Sequence, residues 1–299
     1  AGVLISQKAV DEYVPVATGA DGVVVAQFVM TTLEELGLLK MDFLGLRTLT
    51  VIRDAEELIK KKNPDFDMEK IDYEDKAVYD LISTGRCDGI FQLESAGMKS
   101  FMKELKPQNI EDLIAGISLY RPGPMDFIPQ YIEGKNNPEK VVYDCPQLEA
   151  ILKPTYGCIV YQEQVMQIVR DLAGYSLGRS DLVRRAMSKK KASVMEKERK
   201  NFIFGNEEEG VRGCVNNGID EKTAGKIYDD MIDFAKYAFN KSHAACYAVV
   251  AYQTAFLKTH YPVEYMAALM TSVVDNTDKV AGYILSLIHI SEPTRLGMI

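Results

Sequence analysis

The sequence has few cysteines and no pattern that would pair them: Cys87, Cys145, Cys158, Cys214 and Cys246 are scattered without one Cys-x-x-Cys. An odd, unpaired set argues against a disulfide framework and a thiolate zinc site, and fits a reducing, cytoplasmic setting. Histidine is scarcer still. Only His243 and His260 precede the C-terminal stretch, too few for an imidazole metal triad. There is no Walker-type glycine loop and no Gly-x-Gly-x-x-Gly after a strand, so the common nucleotide cradles are excluded. The longest nearly apolar stretch, Ala244 to Leu257, contains Gln253 and is closed by Lys258 and His260. It falls short of the ~20 residues a membrane span needs, so no membrane partner is expected. Internal repeats and low-complexity tracts are absent, and Asn240-Lys241-Ser242 matches a glycosylation sequon by chance.

What is present is a globular composition: 47% of the 299 residues are apolar. That excludes a disordered or collagen-like chain and leaves room for one large or two ordinary domains. Charge is unevenly divided. Between Arg179 and Lys200 nine basic residues face three acidic ones, a local charge of +6 inside a chain of net charge -8. Such a concentrated basic element suggests a polyanionic partner, with a salt-bridged, solvated helix face as the other reading.

The first fifty residues have strand character. Ala1 to Ile5, Gly22 to Phe28 and Leu38 to Leu44 are short apolar runs bounded by glycines, and predict a small sheet. From Thr48 the spacing turns helical, with Leu49, Ile52, Ala55 and Ile59 on one stripe. Asp220 is placed to cap a helix whose stripe is Ala224, Ile227, Met231 and Phe234. Ser242 is placed to cap the next, striped by Ala245, Val249, Tyr252 and Phe256. Pro262 fits the first turn of a third. Loops are expected at Arg121 to Pro124, Asn136 to Pro138 and Asn216 to Gly218.

Three places could carry chemistry. Alternation puts Lys40 and Asp42 on one face of a strand, opposite Leu39, Met41 and Phe43. A carboxylate among apolar residues needs a partner, and pairing with Lys40 or binding a metal both remain open. The one obvious Asp-x-Asp, Asp65 and Asp67, follows a lysine run and reads as turn and cap. His243 lies in Phe239-Asn-Lys-Ser-His-Ala244, at a helix start whose free N–H groups would welcome a phosphate. An ordinary capped helix is the alternative.

Read together, these segments resemble the catalytic alpha subunits of bacterial DNA polymerase III, the C-family replicative polymerases. The resemblance rests on Lys40-Met-Asp-Phe-Leu-Gly-Leu-Arg-Thr-Leu-Thr50, Gly89-Ile-Phe-Gln-Leu-Glu-Ser-Ala-Gly-Met98 and Ser118-Leu-Tyr-Arg-Pro-Gly-Pro-Met125. It continues through Tyr156-Gly-Cys-Ile-Val-Tyr-Gln-Glu-Gln164, Ala173 to Arg179 with Leu182-Val-Arg-Arg-Ala-Met187, and Phe239-Asn-Lys-Ser-His243. The resemblance implies an α+β fold: the end of a nucleotidyltransferase-type palm sheet over residues 1–47, then a large, mostly helical fingers domain over 48–284.

It further implies that Asp42 is a catalytic carboxylate, a metal ligand or the one orienting the attacking hydroxyl, with Lys40 beside it as an active-site lysine of the palm. Arg184, Arg185, Lys189, Lys190 and Lys191 would meet the incoming triphosphate, and Asn240, Lys241, Ser242 and His243 would form another part of the nucleotide pocket. The implied cofactor is Mg2+, two ions in the complete enzyme. The implied partners are primer-template DNA, deoxynucleoside triphosphates, and the sliding clamp and other replisome subunits. The family's other two metal aspartates belong to a Pro-Asp-x-Asp-x-Asp-Phe strand, and Pro64 to Asp67 is not that motif. The chain, which opens as if in mid-strand, is therefore expected to be an inactive fragment. A noncatalytic nucleic-acid-binding module of fingers type is the alternative. If Ser180 caps its helix, Arg184 and Arg185 project about 100° apart, so that one of them faces the nucleotide.

Residues 285–299 resemble translated sequencing-adapter sequence, which was never selected to pack. Deleting Leu285 to Ile299 is expected to leave the thermal midpoint of the chain unchanged. A fall beyond about 2 °C, roughly 1 kcal/mol, would contradict that reading.

Overall fold

In a computed structural model of the chain, the structure describes residues 2–19, 22–42, 45–188, 192–235 and 237–291. Two units are distinguished, Ala1–Thr50 and Val51–Ile299. Among its described residues the first holds four strands, β1 (Gly2–Ile5), β2 (Val16–Thr18), β3 (Val24–Ala26) and β4 (Leu39–Asp42), with a short helix α1 (Met30–Glu35) before β4. β1 pairs antiparallel with β4 and β2 with β3, giving two separate ribbons where one small sheet was expected. Val14, Leu33 and Leu38 form the unit's small core. Val24, Val25, Leu39 and Met41 stay exposed, so β4 does not enclose its charged residues in apolar surroundings. Phe43 and Leu44 lie outside the described residues.

The second unit is helical. Its helices are α2 (Arg47–Lys60), which begins at the unit boundary, α3 (Lys76–Ser83), α4 (Ala96–Leu105), α5 (Ile110–Leu119), α6 (Ile128–Asn136) and α7 (Pro146–Leu152). They continue with α8 (Gln162–Ala173), α9 (Leu177–Ser188), α10 (Ala192–Phe204), α11 (Glu221–Ala235), α12 (Lys241–His260), α13 (Pro262–Ser272) and α14 (Thr277–Ser291). Residues 292–299 of the adapter-like tail lie outside the described residues, while its first part continues α14.

Helix starts follow side-chain chemistry. Asp75, Ser95, Asn109 and Asn240 each accept an N–H of the first turn they precede, and Asp220 does the same for Thr223. Asp67 caps a short turn through Glu69 N–H, and Asp65 is an exposed turn residue. Two caps differ from expectation. Ser242 sits inside the first turn of α12, because Asn240 has the reach to accept the His243 N–H at 2.9 Å. Ser180 is buried within α9 and donates back to the Ser176 carbonyl, while Ser176 Oγ accepts the Arg179 N–H.

α12 packs most extensively on α5. Ala244, Ala248, Ala251 and Ala255 recur at spacings of four and three, and this stripe of small side chains lets the helices approach closely. α5 is buried continuously from Asp112 to Leu119. At Gly116 even a methyl group would lie 3.0 Å from the Met102 side chain and 3.1 Å from that of Leu105. On its other side α12 adds Val250 and Leu257 to a core with Val51, Ile52, Ala55 and Ile59 of α2 and Tyr265 of α13. Two buried sides explain the departure from the expected α12 stripe: Tyr252 is buried as expected, while Ala245, Val249 and Phe256 are only half-buried. Leu49 of the expected α2 stripe is exposed, and Val51 is buried in its place. A third core joins α7 to α11 around Val165, Ile168, Val169, Phe202 and Tyr228.

Buried charge is matched with care. Lys135 Nζ lies 2.8 Å from Asp112 Oδ2 and also donates to the carbonyls of Leu105 and Lys106. Lys258 is different. Its buried ammonium donates to the carbonyls of Arg86 (2.9 Å) and Asp88 (2.6 Å), with no carboxylate among its ion-pair partners in the described residues. Burial therefore pulls its pKa down from 10.5 to about 8. Between these values the unfolded chain holds the proton and the folded chain releases it. The contribution of Lys258 to stability thus rises with pH through that window and is least below pH 8. In urea titrations, the stability of the wild type relative to Lys258→Met is expected to increase by up to about 1.4 kcal/mol per pH unit between roughly pH 8 and 9.5. A difference independent of pH would show that the amine is not perturbed.

Candidate functional site

In the first unit, Lys40 Nζ lies 2.7 Å from Asp42 Oδ1, so the carboxylate has the partner that the bland alternative assigned to it. The Asp42 side chain is 50% exposed, and its desolvation is correspondingly small. Lys40 also approaches Met30 Sδ at 3.6 Å. One neighbour was not foreseen from the sequence. Gly2 stands opposite Asp42 in the β1–β4 register, and a Cβ there would lie 2.6 Å from Asp42 Oδ1 and 2.7 Å from Lys40 Cε. Glycine at that position leaves the space the ion pair occupies. The described residues contain no group of three or more potential metal ligands, so Asp42 offers one carboxylate and not a complete ion site.

In the second unit the basic segment is largely neutralised by its own surroundings. Arg179 bridges Glu198 and Glu209, Lys197 also meets Glu209, and Arg199 pairs with Asp229. Arg184 and Arg185 share Asp181, through Oδ1 and Oδ2 respectively, both at 2.7 Å. The Arg184 hydrogen bond, with the charge of both arginines, holds the Asp181 carboxyl below its usual range. The two arginines differ in setting: the Arg184 side chain is 19% exposed and that of Arg185 64%. Lys189, Lys190 and Lys191 lie outside the described residues.

Arg184 also donates to Gln162 Oε1 at 3.0 Å. Gln162 Nε2 in turn donates to the Ala238 carbonyl, and its backbone N–H donates to the Phe239 carbonyl. The next residue, Glu163, accepts from Asn240 Nδ2 at 2.9 Å and, with both oxygens, from the Lys241 N–H. Adjacent side chains at the start of α8 thus tie Arg184 to the Asn240–His243 segment. Buried Gln164 fixes that start, its Oε1 accepting the N–H groups of Val160 and Tyr161. The sequence gives no periodic or spacing signal for this linkage, because it is made across space.

The start of α12 is also less open than its sequence suggests. Of the N–H groups that a phosphate would use, that of Lys241 donates to Glu163 and that of His243 donates to Asn240 Oδ1. Lys241 Nζ pairs with Glu111 at 2.9 Å. Ser242 and His243 remain exposed. The His243 ring stacks on Tyr247 at 4.4 Å and meets the Phe239 ring edge-on at 5.3 Å. The other side chains of this group, Arg121 and Tyr247, were not singled out from sequence.

A helical unit carrying clustered cations and stacked rings, preceded in the chain by a small β unit, defines the class, and comparison with known proteins defines the family. Residues 48–210 match the family model described as the bacterial DNA polymerase III alpha subunit finger domain, and residues 1–45 that of the bacterial DNA polymerase III alpha NTPase domain. The chain is 46% identical over 285 residues to DNA polymerase III subunit alpha of Borreliella burgdorferi, and 46% identical over 285 residues to that of Bacillus subtilis. With the Thermus aquaticus subunit it shares 47% over 290 residues. Each alignment covers 95% of this chain and 24%, 25% and 23% of the respective relatives, so the chain spans about a quarter of their length. The chain belongs to the bacterial DNA polymerase III alpha subunit family. The helical unit is accordingly of fingers type, preceded by β structure consistent with the end of a palm.

Glu163→Ala would leave Asn240 and the first N–H of α12 without their acceptor and remove a favourable charge from the helix start. Loss of about 1 kcal/mol in urea unfolding is expected. Unchanged stability would mean that solvent replaces the carboxylate without cost.

Proposed function

We infer that residues 1–47 are the end of the palm and 48–284 the fingers of a replicative DNA polymerase, with an adapter-derived tail at 285–299. The complete protein would add deoxynucleotides to a primer 3′ end in the cytoplasm. The observation that carries this reading is the tie, through Gln162 and Glu163, between Arg184 and the Asn240–His243 segment. Two stretches distant in sequence, each assigned to the nucleotide by resemblance, are coupled in one unit.

In the reaction, the primer 3′-hydroxyl attacks the α-phosphate of a deoxynucleoside triphosphate and pyrophosphate leaves. Arg184, half-enclosed and oriented by Gln162, is poised to exchange Asp181 for phosphate oxygens and to offset charge on the leaving pyrophosphate. Arg185, projecting into solvent, suits a DNA phosphate. Lys189, Lys190 and Lys191 would add positive charge for the incoming triphosphate, and Asn240 to His243 would line the nucleotide pocket. Asp42 would be one carboxylate holding Mg2+, with Lys40 beside it, and two such ions in the complete enzyme would supply Lewis acidity. Among the described residues the donor set does not complete such a site. Primer-template DNA is the macromolecular substrate, and the sliding clamp and other replisome subunits would engage parts of the longer protein outside this chain.

The isolated chain is expected to show no primer extension, and Mg2+-dependent extension by it would overturn the fragment reading. In a chimera where this chain replaces the matching segment of the Bacillus subtilis subunit, Arg184→Ala should lower kcat/KM for nucleotide at least tenfold, about 1.4 kcal/mol. Arg185→Ala should instead weaken primer-template binding and reduce its salt dependence by roughly one ion. A chimera that binds DNA but never extends would favour a noncatalytic nucleic-acid-binding module.

A further inference from the structure

The anion receptors expected at the Asn240–His243 end are already engaged. The Glu163 carboxylate and Asn240 occupy N–H groups of the α12 start, and Glu111 neutralises Lys241. One cation at this end is not neutralised. The Arg121 guanidinium lies 3.6 Å from the centroid of the Phe239 ring, is exposed, and makes no ion pair among the described residues. Its proton affinity is drawn below the ordinary arginine value by lost water, with no carboxylate in exchange.

The backbone holds Arg121 in place. Its N–H donates to the Leu119 carbonyl and its carbonyl accepts from Met125 N–H. The following turn, Pro122-Gly123-Pro124, is restricted by two proline rings. Gly123 takes φ of +103°, and a Cβ there would meet the Tyr237 ring at 2.3 Å. The face of Phe239 supports the guanidinium plane, as aromatic rings do for arginine. His243 meets the same ring edge-on, so the cation and the exposed imidazole flank one residue. A fixed, unneutralised guanidinium on a half-buried ring, with the exposed His243 imidazole at the same ring, matches the chemistry of a ligand with both phosphate and a planar base.

We propose that Arg121 contacts the phosphates of the bound nucleoside triphosphate at the His243 end of the site, a role the helix amides and Lys241 do not fill. This rests on the nucleotide-site reading above and adds a residue to it. The test is calorimetric titration of the whole chain, at low salt, with inorganic tripolyphosphate, with dATP and with a primer-template duplex. Arg121→Ala and Arg121→Gln are expected to weaken tripolyphosphate and dATP binding at least tenfold with an unchanged thermal midpoint, and Arg121→Lys to recover part of the loss. Wild-type affinity for both in the alanine and glutamine variants, while Arg184→Ala loses it, would overturn the role of Arg121 and leave the nucleotide site standing. A loss confined to the duplex, with its salt dependence reduced by about one ion, would make Arg121 a DNA contact and equally overturn the proposal. No binding of either small ligand by the wild-type chain would overturn the nucleotide-site reading together with this inference.

Discussion

The close packing of α12 on α5 is the constraint from which the rest of the helical unit follows. An alanine stripe, Ala244, Ala248, Ala251 and Ala255, brings the two backbones together, and the opposite side of α12 is committed to the α2 and α13 core. A helix buried on two sides can neither rotate nor slide without opening cavities in both cores, and core voids cost several kcal/mol. Its two ends are therefore fixed points. The first turn carries Asn240 to His243, and the last carries Lys258 into the carbonyls of Arg86 and Asp88.

Electrostatics in the second unit depends on how charge is matched locally more than on its sum. The segment from Arg179 to Lys200 is strongly basic by count, yet Asp181, Glu198, Glu209 and Asp229 meet all four of its arginines. These contacts hold side chains in defined positions at modest net energy, since most are partly exposed. A cation presented in this way is oriented before a ligand arrives, and a phosphate needs only to displace a carboxylate. Arg121 reaches the same state by another route, with an aromatic face as support instead of an acid.

The parts of the fold legible in the sequence are those governed by neighbours along the chain. Strand positions at Gly2–Ile5, Val24–Ala26 and Leu39–Asp42, the Asp220 cap and Pro262 at a helix start all follow from local propensity and hydrogen bonding. The α12 stripe is not legible there, because a helix buried on two sides has no single apolar face. The caps differ from Ser242 and Ser180 because a better-placed acceptor, Asn240 in one case and Ser176 in the other, stands nearby.

For the candidate site, the sequence by itself determined which residues carry charge and on which elements they lie: Lys40 and Asp42 two apart on one strand, Arg184 and Arg185 on one helix, His243 in the first turn of another. Those placements depend on backbone periodicity, which acts over a few residues. Tertiary structure alone decided who meets whom. Gly2 faces Asp42 through strand register, Gln162 and Glu163 join Arg184 to Asn240, Glu163 takes the N–H that a phosphate would have used, and Arg121 comes to rest on Phe239. Each is a contact between residues far apart in the chain, set by how helices and strands pack, and no local pattern encodes it.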